Sequence, residues 1–287
     1  PFTFVLLLDV SNSTQFKIGE IQDAAITFVR QLRQNDRVMV ISFDEKIRVL
    51  AQPTNNRRVL EDAIRQIDFG GGTSLYEAVD YTIRQELRRV EGRKAVVLFT
   101  DGVDTTSKRA TYQSTIKDAE EIDAMIYPIR YDTSGFMNGG NSGGGGSPRQ
   151  SGGSVFGQIL GAILTGGNVQ IGGGGGGTSR AEYERGKTYL QGLATVSGGR
   201  NFEAQTTYNL DAAFSGIAEE LRRQYAIGYY PEEEGQPGER RQIKVRVNRT
   251  NAVVRAKNSY VVGANNRNTN AGQPTKTQPK LNGRLPF

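Results

Sequence analysis

The chain of 287 residues contains no cysteine and no histidine. It therefore holds no disulfide, no Cys/His zinc site and no imidazole general base, and a Ser-His-Asp hydrolase is excluded. Any metal it binds must be a hard cation held by oxygen. No apolar run reaches the length of a membrane-spanning helix, and no signal peptide is visible. Lys and Arg exceed Asp and Glu by 6. These basic residues are scattered on helices rather than packed in one run, which argues against nucleic acid as a partner. The absence of cysteine fits either side of a membrane and leaves the compartment open.

What is present is strongly patterned. Residues 3–9 form a continuous apolar run that ends in Asp9, as a central parallel strand buried on both faces requires. Ile18, Ile21, Ala25, Phe28, Val29 and Leu32 follow at helical spacing. "DRVMVISF" (36–43) and "KIRVLAQ" (46–52) are strands joined so tightly that they predict a hairpin and one antiparallel edge strand. Helices are expected over 57–67 and from Leu75 to Val90, and "KAVVLFTDG" (94–102) repeats the apolar-run-then-Asp pattern. A helix over 111–124 and the strand "AMIYPIRY" (124–131) complete the series. Strands alternating with helices predict an α/β fold, a doubly wound and mostly parallel sheet with right-handed crossovers.

From residue 132 to 179 the composition changes. This segment holds 19 of the 36 glycines, and in its middle sits "SVFGQILGAILTG" (154–166). Six large apolar residues there are expected to form a short helix that docks on a neighbour. Helical periodicity returns over 180–199 and again from Leu210 to Leu221, with a short strand near Phe202. Three strand-like pieces, 224–231, 241–249 and 252–262, predict a C-terminal antiparallel β extension over 225–262, too small to stand alone. In "IKVRVNR" apolar and basic residues alternate. Residues 263–287 form a polar tail without periodicity. The expected division is thus one domain, 1–131 and 180–224, with an insertion, a β extension and a tail.

In a doubly wound sheet, ligands gather outside the carboxyl ends of the strands where strand order reverses. Asp9 and Asp101 end two strands expected to be neighbours there, and Thr73 follows Gly70-Gly71-Gly72 on the same edge. "DVSNS", "GGGTS" and "TDGVD" therefore converge. Asp9 and Asp101 bring negative charge, and the hydroxyls of Ser11, Ser13 and Thr73 bring neutral oxygen. A small hard cation such as Mg2+ suits that set. Each fragment alone reads equally well as a helix cap or a turn. Their order, each after the right element, is the stronger signal.

The pattern D-x-S-x-S, then T, then D resembles the metal-ion-dependent adhesion site of von Willebrand factor type A (vWA) domains, complete here as Asp9, Ser11, Ser13, Thr73 and Asp101. The resemblance covers residues 1–131 and resumes over 180–224. "LRRQYAIGYYP", with the basic strand and "VRAKNSYVV" after it, is also similar to the tail of the VWFA-related proteins of Acidobacteria. The resemblance implies that Ser11, Ser13 and Thr73 ligate Mg2+ (or Mn2+ or Ca2+) directly, while Asp9 and Asp101 act through water. It further implies a protein partner whose Asp or Glu completes the coordination, with Asn12, Ser74 and Gly102 on the rim.

The expected function is metal-dependent protein binding without catalysis. The alternative is a structural subunit of an extracellular filament or multi-subunit assembly, a homo-oligomer or larger complex making contacts through 154–166, the β extension and the tail. A phosphatase of the D-x-D type is disfavoured because Ser11 replaces the second aspartate. A phosphate loop fails because "GGGTS" lacks its lysine. The chain opens at "PFTFVLLLD", already inside a strand, so a processed N-terminus and an extracytoplasmic location are expected.

Overall fold

The structure is a computed structural model that describes residues 1–11, 18–68, 70–131, 180–204, 207–225, 227–233, 235–251 and 253–263. In chain order the elements are β1 (Phe2–Asp9), α1 (Ile18–Gln31), β2 (Arg37–Phe43), β3 (Ile47–Thr54), α2 (Arg57–Arg65), α3 (Leu75–Tyr81), β4 (Arg93–Thr100), α4 (Tyr112–Glu121) and β5 (Met125–Tyr131). After the insertion come α5 (Arg180–Ser197), β6 (Phe202–Ala204), α6 (Thr207–Arg222), β7 (Arg240–Gln242) and β8 (Ser259–Val261). Among the described residues the main sheet has six strands in the order β3-β2-β1-β4-β5-β6. Only β3 runs antiparallel, paired with β2, while β1 pairs in parallel with β2 on one side and β4 on the other. This is the doubly wound α/β architecture that the alternation of elements predicts, with the order reversing between β1 and β4.

Every residue of β1 is buried, because helices cover both faces of the sheet. Side chains alternate along the strand, so Phe4, Leu6 and Leu8 join one core with Phe28 of α1 and Phe214 of α6. Val5 and Leu7 join a second core with Leu75 and Val79 of α3 and Leu190 and Leu193 of α5. Each such side chain contributes about 1.5–3 kcal/mol of hydrophobic stabilisation. Phe28 and Phe214 meet at 5.1 Å between ring centroids and tie α1 to α6. The helix expected from Leu75 to Val90 is not uniform. It turns from α to a π turn at Thr82–Glu86 and ends in a tight 3-10 turn at Leu87–Arg89.

The β extension is shorter than the three strand-like pieces suggest. Among the described residues its ladder joins β7 to β8, Arg240 opposite Val261 through Gln242 opposite Ser259. It is nonetheless fixed to the domain. The buried carboxylate of Glu120, at the end of α4, pairs with Arg240 and accepts a hydrogen bond from the Ser259 hydroxyl. Lys257 Nζ donates to the carbonyls of Glu120 and Ile122, and Arg255 pairs with Glu220 of α6 at 2.8 Å. These anchors lie where α4 and α6 end and β5 begins, the amino edge of the sheet. The expected docking of 154–166 and the polar tail fall outside the described residues.

Candidate metal site

β1 and β4 run side by side, so Asp9 emerges next to Thr100, one residue before Asp101. Asp9 is wholly buried. Its Oδ1 accepts the Ser11 amide at 3.0 Å, and its Oδ2 accepts the Thr100 hydroxyl at 2.6 Å. Burial, and then the nearby charge of Asp101, outweigh these hydrogen bonds and push the Asp9 carboxyl up to about 7. Asp101 Oδ1 accepts the Val103 amide at 3.0 Å. Gly102 turns the chain with φ +90, and its amide donates to Thr100 Oγ1.

The glycine-containing loop is tied to both carboxylate loops by backbone groups. Gly70 donates to the carbonyl of Val10 at 3.1 Å, which fixes the loop to the segment after β1. The Thr73 carbonyl accepts the amides of Thr105 and Thr106 at 2.8 and 3.0 Å, which fixes it to the segment after β4. Thr73 in turn donates its amide to the Thr105 hydroxyl, and the Ser74 and Thr106 hydroxyls share a 2.6 Å hydrogen bond. The structure thus brings Asp9, Ser11, Thr73 and Asp101, all buried, to one edge of the sheet, with Ser74 and Gly102 beside them. Ser13 and Asn12 lie outside the described residues.

Close packing sets the backbone here. A Cβ on Gly70 would stand 1.8 Å from Asp44 Oδ2, and one on Gly186 would stand 2.4 Å from the Gly102 carbonyl oxygen. The second contact presses α5 against the turn that carries Asp101.

Several contributors went unseen in the sequence. Thr100 reads as an ordinary strand residue, yet it bridges Asp9 and the Gly102 amide. Asp104 accepts the Tyr76 amide and the Ser107 hydroxyl, and Glu77 accepts the amides of Lys108 and Arg109. Together they staple the segment after Asp101 to the first turn of α3. Tyr131 ends β5 with its ring stacked on Phe99 at 4.7 Å. Burial and the charges of Asp9 and Asp101 hold its phenol well above the ordinary range. Thr100 and Asp104 fall inside "TDGVD", but only three-dimensional proximity reveals what they and the others hold in place.

Among the described residues no three acidic side chains stand close enough to hold a metal by themselves. A cation here must rest on two carboxylates supplemented by hydroxyl oxygen. That donor set fits a hard divalent ion: charge opposite to the carboxylates would offset the repulsion and desolvation that now lift Asp9.

The model of the von Willebrand factor type A domain matches residues 4–103, the stretch that holds all five residues of the sequence pattern. Over residues 4–103 the chain matches a vWA domain. Among curated proteins, an uncharacterized protein of Synechocystis sp. is 28% identical over 106 residues, 36% of this chain and 25% of that protein. The chain therefore spans about a quarter of that relative's length. Among solved structures, a von Willebrand factor type A protein from Catenulispora acidiphila superposes with a TM-score of 0.52 at 14% identity, over 75% of this chain and 41% of that one. The vWF domain of a type V pili tip protein from Porphyromonas gingivalis gives 0.54 at 13% identity, covering 81% and 99%. The conserved hypothetical protein BatB from Bacteroides thetaiotaomicron gives 0.51 at 15% identity, covering 78% and 98%. At such identities the likeness of this vWA domain to solved structures is one of fold. Among the described residues no helix is long and apolar enough to cross a membrane.

Proposed function

We propose that this vWA domain is a metal-dependent protein-binding module and not an enzyme. Asp9, Ser11, Ser13, Thr73 and Asp101 would hold one divalent ion, Mg2+ or in its place Mn2+ or Ca2+. When bound, the ion supplies a Lewis-acidic position for an Asp or Glu of a partner protein. The observation that carries the reading is the buried Asp9–Asp101 pair, flanked by Ser11 and Thr73 on loops that backbone hydrogen bonds tie together. The chain's own groups fix the site: Thr100 and the Ser11 amide orient Asp9, while Thr105 and Thr106 hold Thr73 in place. Ser74 and Gly102 would form part of the rim.

The rest of the reading is extracytoplasmic work, which the family likeness to adhesion proteins and the phrase "QYAIGYYP" of VWFA-related proteins motivate. A structural role in a filament or larger assembly is the second reading. It is favoured by the apolar surface of the β extension, where Tyr225 and Ile227 are exposed.

The test is titration of the full chain with Mg2+ and Mn2+ by calorimetry, before and after chelation, alongside Asp101→Ala. Binding that disappears in the variant supports the proposal. Absence of any divalent-ion binding by the unaltered chain overturns it. Chelation also separates the two readings, because an assembly held by apolar contacts persists in its presence.

A further inference from the structure

Large apolar side chains left in water are concentrated in one place. Tyr225 is 81% exposed, Ile227 75% and Val253 81%, and Tyr229, Val245 and Val247 are exposed as well. All lie in the β extension, whose stem is locked to the amino edge of the sheet by the buried Glu120. The surface is therefore held out by a fixed root, on the side of the domain away from the metal site.

Tyr229 meets Tyr260 edge-on at 6.4 Å, but among the described residues much of the backbone there is unpaired. After β7 the ladder goes one step further, with the Ile243 amide donating to the Asn258 carbonyl at 2.7 Å, and then stops. Among the described residues, 227–230 and 244–248 take part in no ladder. Yet both stretches alternate as strands do. Tyr225, Ile227 and Tyr229 fall at every second position, and Ile243, Val245 and Val247 alternate with Lys244 and Arg246.

We propose that this extension is a β-strand acceptor, which binds an edge strand of another polypeptide with apolar residues on one face and carboxylates on the other. Strand addition satisfies the backbone amides and covers the valines and tyrosines in one step. Charge chooses the partner's polar face. Of the seven Arg and Lys in residues 240–263, Arg240, Arg241, Arg255 and Lys257 are engaged within the chain, which leaves Lys244, Arg246 and Arg249 on a segment without Asp or Glu. A second copy would set these basic rows against each other, whereas an acidic row complements them. An anionic lipid surface would match the charge and the tyrosines, but it would take amides that are unpaired among the described residues into an apolar layer that offers them no acceptor.

The experiment uses the full chain with a synthetic peptide alternating valine and glutamate, a counterpart alternating valine and lysine, and phosphatidylglycerol vesicles. Chelator is present throughout, so the metal reading is not at stake. The glutamate peptide is expected to bind about tenfold more tightly than the lysine peptide, to weaken with salt, and to slow amide exchange at 227–230 and 244–248. Val245→Pro, which removes one amide on an exposed stretch, is expected to abolish binding, and Arg246→Glu to narrow the preference. Equal binding of both peptides, or no amide protection, overturns the proposal. Vesicle binding without peptide binding assigns the surface to membranes instead, and self-association abolished by Val245→Pro assigns it to a second copy.

Discussion

Thr100 donates a 2.6 Å hydrogen bond to Asp9 across the β1–β4 pair and, through the same oxygen, accepts the amide of Gly102. One buried hydroxyl thus links the two carboxylate loops. Thr100→Val keeps the shape but leaves Asp9 and the Gly102 amide short of a partner. The expected loss is about 1–3 kcal/mol of stability, read from the shift of the denaturant midpoint at constant slope, together with weaker divalent-ion binding.

The ion should act on stability through the folded state. With Mg2+ at a hundred times its dissociation constant, unfolding should become harder by about 2.7 kcal/mol. Thermal melts with and without chelator measure this. In Asp101→Asn and Thr73→Val the two melts should nearly coincide. A full metal-dependent shift retained in both variants would sink the site.

Gly186 and Gly19 make a matched pair. A methyl at Gly186 would meet the Gly102 carbonyl oxygen at 2.4 Å, whereas among the described residues nothing lies within 4 Å of one at Gly19. Gly186→Ala should therefore cost about 1–3 kcal/mol and loosen ion binding, because α5 must move off the Asp101 turn. Gly19→Ala should be neutral, or stabilising by up to about 1 kcal/mol as α1 gains propensity. Urea unfolding of the two variants decides the matter.

Glu77 gives the expected pH dependence. Its carboxylate accepts the amides of Lys108 and Arg109, with the Lys108 bond the largest influence, and these hold its pKa below the ordinary value. The folded form therefore prefers the charged carboxylate. Its contribution is present above the unfolded carboxylate range and disappears as pH falls through the lowered folded value. The group is partly exposed, so the effect should stay below about 1 kcal/mol. Amide exchange at residues 108 and 109 should be faster in Glu77→Gln than in the parent at neutral pH, and the gap should close in acid.

Glu120 anchors the β extension independently of the ion. Glu120→Gln removes the charge facing Arg240 while keeping a polar group near Ser259. Amides of β7 and β8 should exchange faster, and the response to Mg2+ should not change. If the Mg2+ response fell as well, the two edges of the sheet would be coupled.

The alternation of elements, the hairpin that turns β3 antiparallel and the reversal of order at β1 were all legible in the chain, because a strand buried on both faces must be a continuous apolar run. Asp9 and Asp101 were legible for the same reason: each is the first charged residue after such a run. Thr100 and Tyr131 were not. They sit in the buried pattern like any core residue, and their roles arise only from what stands across the sheet. The extension shows the opposite failure. Alternation predicted three strands there, but a strand needs a neighbour as well as a pattern, and the ladder ends at Ile243. Sequence alone determined the doubly wound fold and which oxygen-bearing residues are available at its carboxyl edge, since local hydrophobic period sets both. Tertiary structure alone decided that Asp9 is buried against Asp101, that Thr100 and Gly186 position their loops, and that Glu120 holds the extension, because these depend on distances between residues remote in the chain.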